Sequence, residues 1–206
     1  LILGGAIDVS TAQLPTPAIA TAGFISLAAG GSIVAAGPIR ADGGAFAPAG
    51  VVSAVAGDDF TLSASASWSA STEGEDGAGG AFLVAAGDEI HWLGVGTATA
   101  GASLFAAGGT ASLQADDDVT CAGTIVLHGT SPGSALLRSM EGSVHVSGTV
   151  DASSFVVDGQ GGVVAVMAEI DADVAGTLDA SGLTDHTGAG MIDVVAGHRV
   201  RLHSGS

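Results

Sequence analysis

Tyrosine, lysine and asparagine are missing from this 206-residue sequence, cysteine occurs once, and the aromatic residues are six Phe and two Trp. So few rings exclude a globular core packed around aromatic side chains and favour many small groups in thin, regular layers. The three missing residue types share AT-rich codons, which points to a high-GC genome rather than to any activity. The single Cys121 allows no intramolecular disulfide and supplies no cysteine metal-site spacing, so it reads as a small buried apolar residue. Basic residues are nearly absent: four Arg face 21 Asp plus Glu, for a net charge of −17. A nucleic-acid backbone or an anionic membrane surface would repel such a chain, and both are set aside as partners. No run of apolar residues approaches the roughly 18 needed to span a membrane. The chain opens on Leu1-Ile2-Leu3 without Met or a basic leader, and it closes on Ser204-Gly205-Ser206 soon after a repeat has begun. The expectation is a single domain over residues 1–206 that forms a section of a longer fibrous protein, or a processed product.

What the sequence has in abundance is glycine, 34 residues, with Ala, Val, Ser and Thr making up most of the remainder. Repetition is the first property to test in such a composition. Apolar starts follow glycine at Phe24-Ile25, Val51-Val52, Ala81-Phe82, Leu104-Phe105, Leu136-Leu137, Val163-Val164 and Met191-Ile192, 23 to 32 residues apart. A turn follows most of them: Ala29-Gly30-Gly31, Ala56-Gly57-Asp58, Ala86-Gly87-Asp88, Ala107-Gly108-Gly109 and Ala196-Gly197-His198. Next comes a short alternating segment such as Asp59-Phe60-Thr61-Leu62 or Ser143-Val144-His145-Val146, whose period of two is that of a half-buried strand. A third segment is the most regular, reading Gly148-Thr149-Val150-Asp151-Ala152-Ser153 and Gly176-Thr177-Leu178-Asp179-Ala180-Ser181, with a near copy at Gly5 to Ser10.

Three strands and three corners per repeat, with no helical periodicity, predict an all-β fold: a right-handed parallel β-helix, a three-sided solenoid of about seven coils with about 28 residues each. Neighbouring coils, about 4.8 Å apart, pair every strand and bury the inward side chains. The predicted inward columns are Ile33, Phe60, Ile90, Ala111, Val144, Ala172 and Val200; then Ile7, Ile39, Trp68, Ile125, Val150 and Leu178; then Ile25, Val52, Phe82, Val164 and Ile192. Strict counting turns Arg138 inward, which suggests a one-residue deletion in that repeat. The third corner is expected to carry loops of about ten residues, such as Thr72 to Gly80 and Leu183 to Gly190, rich in the turn-forming types.

The Gly-Thr-[Ile/Val/Leu]-Asp-Ala-Ser segment, the Gly-Gly-x-Val-x-Val start and the Ala-Gly-x-x-Val turn together resemble the β-helical repeats of filamentous-haemagglutinin-type and autotransporter-passenger surface proteins of bacteria. The resemblance covers essentially the whole chain. It implies secretion, an elongated shape and an adhesive or scaffolding role, and such motifs report architecture more than activity.

Candidate sites are few. Asp58-Asp59, Asp88-Glu89 and Asp116-Asp117-Asp118 lie at or near corners, and Asp58 and Asp88 should stack one coil apart, where a Ca²⁺ ion could sit between carboxylates; the alternative is that Asp suits an exposed turn. The Gly74 to Gly80 segment only superficially resembles a calcium-binding RTX nonapeptide. Asp151 and Asp179 occupy equivalent outward positions in adjacent coils, and paired carboxylates are what glycoside hydrolysis uses, but two copies of one motif explain them as well. His91 and His145 share an outward column two coils apart, too far for one metal. Between and beyond them the column is expected to hold Ser112, Asp173 and Arg201, a polar ladder; His186 reads as a loop residue. Outward positions Ala28, Val55, Leu83, Ala85, Leu104, Ala106, Ala165, Met167 and Val195 suggest an apolar stripe, which in a rod marks a covered surface.

The expected function is a structural or adhesive building block of an extracellular or cell-surface fibre. Its partners would be copies of itself or further repeats, stacked end to end and packed laterally along the stripe, and surface glycans. A carbohydrate-active β-helix enzyme, lyase or hydrolase, and a passive glycan-binding module are the alternatives. No catalytic residue and no cofactor beyond the Ca²⁺ reading are assigned.

Overall fold

In a computed structural model, residues 1–11, 22–44, 47–72, 77–101, 106–131, 133–154, 160–182 and 188–203 are described. They form an all-β parallel solenoid of three sheets, with no helix among them. The long-strand face consists of seven six-residue strands: Phe24–Ala29, Val51–Ala56, Ala81–Ala86, Thr110–Ala115, Ser134–Ser139, Val163–Ala168 and Met191–Ala196. The second face has eight shorter strands, from Ile2–Leu3 through Ile33–Ala35, Phe60–Leu62, Ile90–Trp92, Val119–Cys121, Val144–Val146 and Asp171–Val174 to Arg199–Leu202. The third face has seven: Ile7–Asp8, Ile39–Arg40, Ser67–Ser69, Val95–Thr97, Thr124–Val126, Thr149–Asp151 and Thr177–Asp179. Six complete coils result, with an incomplete one at each end, rather than about seven.

The strands of the inner coils alternate because one face of each sheet is core. In Val51–Ala56 the side chains of Val52, Ala54 and Ala56 are buried, and the same positions are buried in Ala81–Ala86, Thr110–Ala115 and Ser134–Ser139. Burying one Val, Leu or Ile contributes about 1.5 to 3 kcal/mol. Repeating that in register, coil after coil, is how residues this small hold a chain against its conformational entropy.

Two of the three inward columns are confirmed. Ile7, Ile39, Trp68, Ile125, Val150 and Leu178 pair in register on the third face. Ile25, Val52, Phe82, Val164 and Ile192 do so on the long-strand face, with Ala111 and Ala135 completing the column. The first column needs a correction. The residue between Ile90 and Val144 is Val119, not Ala111. Ala111-Leu113-Ala115 and Val119-Cys121 alternate equally well, and the corner lies between them at Asp116 to Asp118, so counting alone placed the strand one segment early. For the same reason Ala107-Gly108-Gly109 leads into a long strand instead of following one, and the outward column on the second face runs His91, Thr120, His145, with no Ser112. The proposed start at Leu104-Phe105 lies outside the described residues.

Arg138 is also corrected: it points outward, and no deletion is present. The strand begins at Ser134, two residues before Leu136, so that Ala135, Leu137 and Ser139 face the core. Ser139 occupies a corner position that is Ala in the other coils, and its buried hydroxyl accepts a hydrogen bond from the Gly142 N–H at 2.8 Å.

One gap in the third-face column has a clear filler. Gly96 stands where neighbouring coils have Trp68 and Ile125, and a Cβ there would lie 2.5 Å from Cζ2 of Trp92. The fully buried Trp92 indole crosses from the second face into that vacancy. It packs edge-on to Trp68 at 5.6 Å between ring centroids and lies 6.0 Å from Phe82, and its Nε1–H donates to the Thr124 carbonyl at 3.3 Å.

Candidate functional site

The most regular motif shows what its aspartate does. In each copy the carboxylate accepts a hydrogen bond from the backbone N–H two residues on: Ser10 to Asp8 at 2.9 Å, Ser153 to Asp151 at 3.0 Å and Ser181 to Asp179 at 2.8 Å. This is an Asx turn, in which a short carboxylate replaces the backbone partner that a corner lacks. Asp8 titrates below the ordinary 3.8 chiefly because of the Ser10 N–H bond, with the Ser10 hydroxyl adding to it. At Asp151 burial pushes upward, but the bonds from Ser153 and the neighbouring His128 outweigh it, and the carboxyl ends below its ordinary value. His128 Nε2 lies 2.7 Å from Asp151 Oδ2. Asp151 and Asp179 face each other across paired strands, as expected, but both carboxylates are engaged in their own turns.

The motif's glycine has a matching geometric cause. A Cβ on Gly148 would sit 1.9 Å from the Gly123 carbonyl oxygen, and one on Gly176 would sit 1.9 Å from that of Gly148. The corners of successive coils therefore meet backbone on backbone, and a side chain cannot enter.

Beyond the motif copies, Asp42 forms a polar link between coils that sequence reading missed. Its Oδ1 accepts from the Ser69 hydroxyl at 2.5 Å and from the Ser71 N–H at 2.9 Å, while its own N–H donates to Ser10 Oγ at 3.0 Å. The only sequence signal was an Asp two residues after the short third-face strand Ile39–Arg40.

At the acidic corner the structure stacks Asp58 under Asp88, as expected: the Asp88 N–H donates to the Asp58 carbonyl at 3.2 Å, and the Asp117 N–H donates to the Asp88 carbonyl at 3.0 Å. The last acidic residue of two corners serves the backbone of the next coil. Asp59 Oδ1 accepts from Glu89 N–H at 3.4 Å, and Asp118 Oδ1 accepts from Ser143 N–H at 2.6 Å. Among the described residues no three His, Cys, Asp or Glu side chains converge to hold a metal ion. Gly74 to Asp76, in the RTX-like segment, and His186 lie outside the described residues.

On the second face the ladder of His145, Asp173 and Arg201 is present, each residue paired with the next. His203 reaches back so that its Nε2 lies 2.7 Å from Asp173 Oδ1, and Arg199 pairs with Asp171. His91 lies 2.9 Å from Glu89 within its own strand and corner. Cross-strand charge pairs of this exposed kind each contribute a few tenths to about 1 kcal/mol, which suits a ladder that holds coils together. Cys121 is a buried free thiol, pushed up to about 12 by burial, and so inert at neutral pH.

The apolar stripe lies on the long-strand face: Phe24, Val55, Leu83, Met167, Met191 and Val195 are all exposed there. Thr110, Ser112 and Gln114 interrupt it at mid-rod. Ala106 is corrected from this stripe to the interior, where it is 2% exposed, and Leu104 lies outside the described residues. No protein-family model matches the chain, and neither a curated protein nor a solved structure shows significant similarity to it.

Proposed function

We propose that this chain is a structural or adhesive building block of an extracellular or cell-surface fibre, of the kind formed by filamentous-haemagglutinin-type and autotransporter-passenger repeats. The observation that carries this reading is the use of the repeat carboxylates: Asp8, Asp151 and Asp179 each fasten their own corner, so the chain's most regular motif serves to shape the coil. The ladders at Asp42 and at His145, Asp173 and Arg201 also join one coil to the next. A rod built this way displays an extended, repetitive surface, and surface glycans are the ligands such a surface would meet.

Electron microscopy of the material at near-neutral pH tests this. Filaments with an axial repeat near 4.8 Å are expected. Short, dispersed rods at every concentration would overturn the fibre reading and turn attention to glycan cleavage.

A further inference from the structure

The long-strand face is nearly free of charge on a strongly acidic rod. Of the chain's 21 Asp and Glu and four Arg, its outward strand positions hold only Asp193 and Arg138. The corner beside it, by contrast, carries Asp58, Asp59, Asp88, Glu89 and the Asp116 to Asp118 run. Large apolar side chains stand on this neutral face at up to 63% exposure, at Phe24.

We propose that a second copy of this chain docks on this face, sheet against sheet; the inference rests on the structural reading above and names its lateral partner. Two chains of net charge −17 repel, so they approach most easily where each presents least acid. A basic partner would instead be drawn to the acidic corner. Seven six-residue strands span about 20 by 34 Å, so pairing two such faces removes about 1,300 Å² from water, within the range of stable interfaces. The packing is the aligned sheet-on-sheet kind, with outward side chains interdigitating across about 10 Å.

Charge also selects the orientation. A twofold axis along the rod sets the acidic corner of each copy at opposite margins of the interface, whereas the other face-to-face pairing would line both acidic corners along one margin. With that axis on the central outward column, Leu83 meets its own copy and Gln114 meets Thr110. Asp193, in the same column at the end of the rod, also meets its own copy, a single like-charge contact against the whole acidic corner kept apart.

Sedimentation velocity of the chain at low and high sodium chloride is the test. At concentrations below those that form filaments a discrete dimer is expected, tightening as salt screens the residual repulsion. Leu83→Glu, at an exposed site that leaves folding intact by circular dichroism, should weaken it at least about tenfold by burying an unpaired charge. Val95→Glu, the same change at an exposed position of the third face, should leave it unchanged. Leu83→Cys should be cross-linked in the dimer by a short bismaleimide, whose reach matches sheets about 10 Å apart where a direct disulfide would not, and Cys121, being buried, does not compete. A monomer under all conditions, a dimer indifferent to Leu83→Glu, or a dimer that Leu83→Cys fails to cross-link would overturn the inference. Filaments one rod wide would sink it while sparing the fibre reading; discrete dimers without filaments would do the reverse.

Discussion

Replacing Gly96 by Ile and Trp92 by Leu, singly and together, probes a place where the column pattern is broken and repaired. Ile at 96 restores the residue type found at Ile39 and Ile125 on the same face, and Leu at 92 restores that of Leu62 in the paired strand. Alone, Gly96→Ile drives a Cβ to 2.5 Å from Trp92 Cζ2 and to 3.2 Å from Phe82 Cε2. Coils held above and below cannot move aside, so overpacking of about 3 kcal/mol is expected. Alone, Trp92→Leu empties most of an indole from a site ringed by Trp68 and Phe82, again costing about 3 kcal/mol. Together, the new Ile occupies the space that the indole vacates, and the double variant should lose only about 3 kcal/mol, a favourable coupling of roughly 3 kcal/mol. Urea unfolding followed by far-UV circular dichroism reads all four proteins, and equal denaturant slopes show that stability alone has changed. Costs that add to about 6 kcal/mol, with coupling under about 0.5 kcal/mol, would refute the claim that Trp92 fills the Gly96 vacancy.

Two further substitutions test the corner chemistry. Because the folded-state pKa of Asp151 lies below the ordinary 3.8, its carboxylate contributes stability that is complete above that value and lost as the pH falls through the folded one. Asp151→Asn should therefore cost about 1 kcal/mol at neutral pH and converge on the parent protein in acid, which thermal melts across a pH series would show; an equal deficit at every pH would refute the assignment. Gly148→Ala places a methyl group 1.9 Å from the Gly123 carbonyl oxygen and should cost about 3 kcal/mol. Gly30→Ala, with nothing within 4 Å, should leave the melting temperature nearly unchanged.

How far the sequence could be read depended on how distinctive each segment was. The third-face column was legible because Gly-Thr-x-Asp-Ala-Ser marks both ends of its strand, so Val150 and Leu178 could be placed by the motif itself. The fourth coil was misplaced because Thr110 to Cys121 alternates Ala, Leu, Val and Cys with small polar residues, and a period of two looks the same in either segment. Asp116 to Asp118 marked the corner, but an acidic run reads equally as loop or turn. The Asx turns could have been inferred from Asp-x-Ser. The contact of His128 with Asp151 could not, because it joins residues in successive coils whose register had first to be known. The Trp92 crossing was invisible for the same reason: Gly96 reads as a weak strand position until a neighbouring side chain is seen to fill it.

The central claim is that the repeat carboxylates fasten corners instead of acting on a substrate. Incubating the chain with a panel of acidic and neutral polysaccharides, beside the Asp151→Asn and Asp179→Asn variants, tests it most directly. The account predicts no new reducing ends or unsaturated products from any of the three proteins, with the substitutions changing only melting temperature. Product formation by the parent chain that either substitution abolishes, in a variant that remains folded, would contradict it.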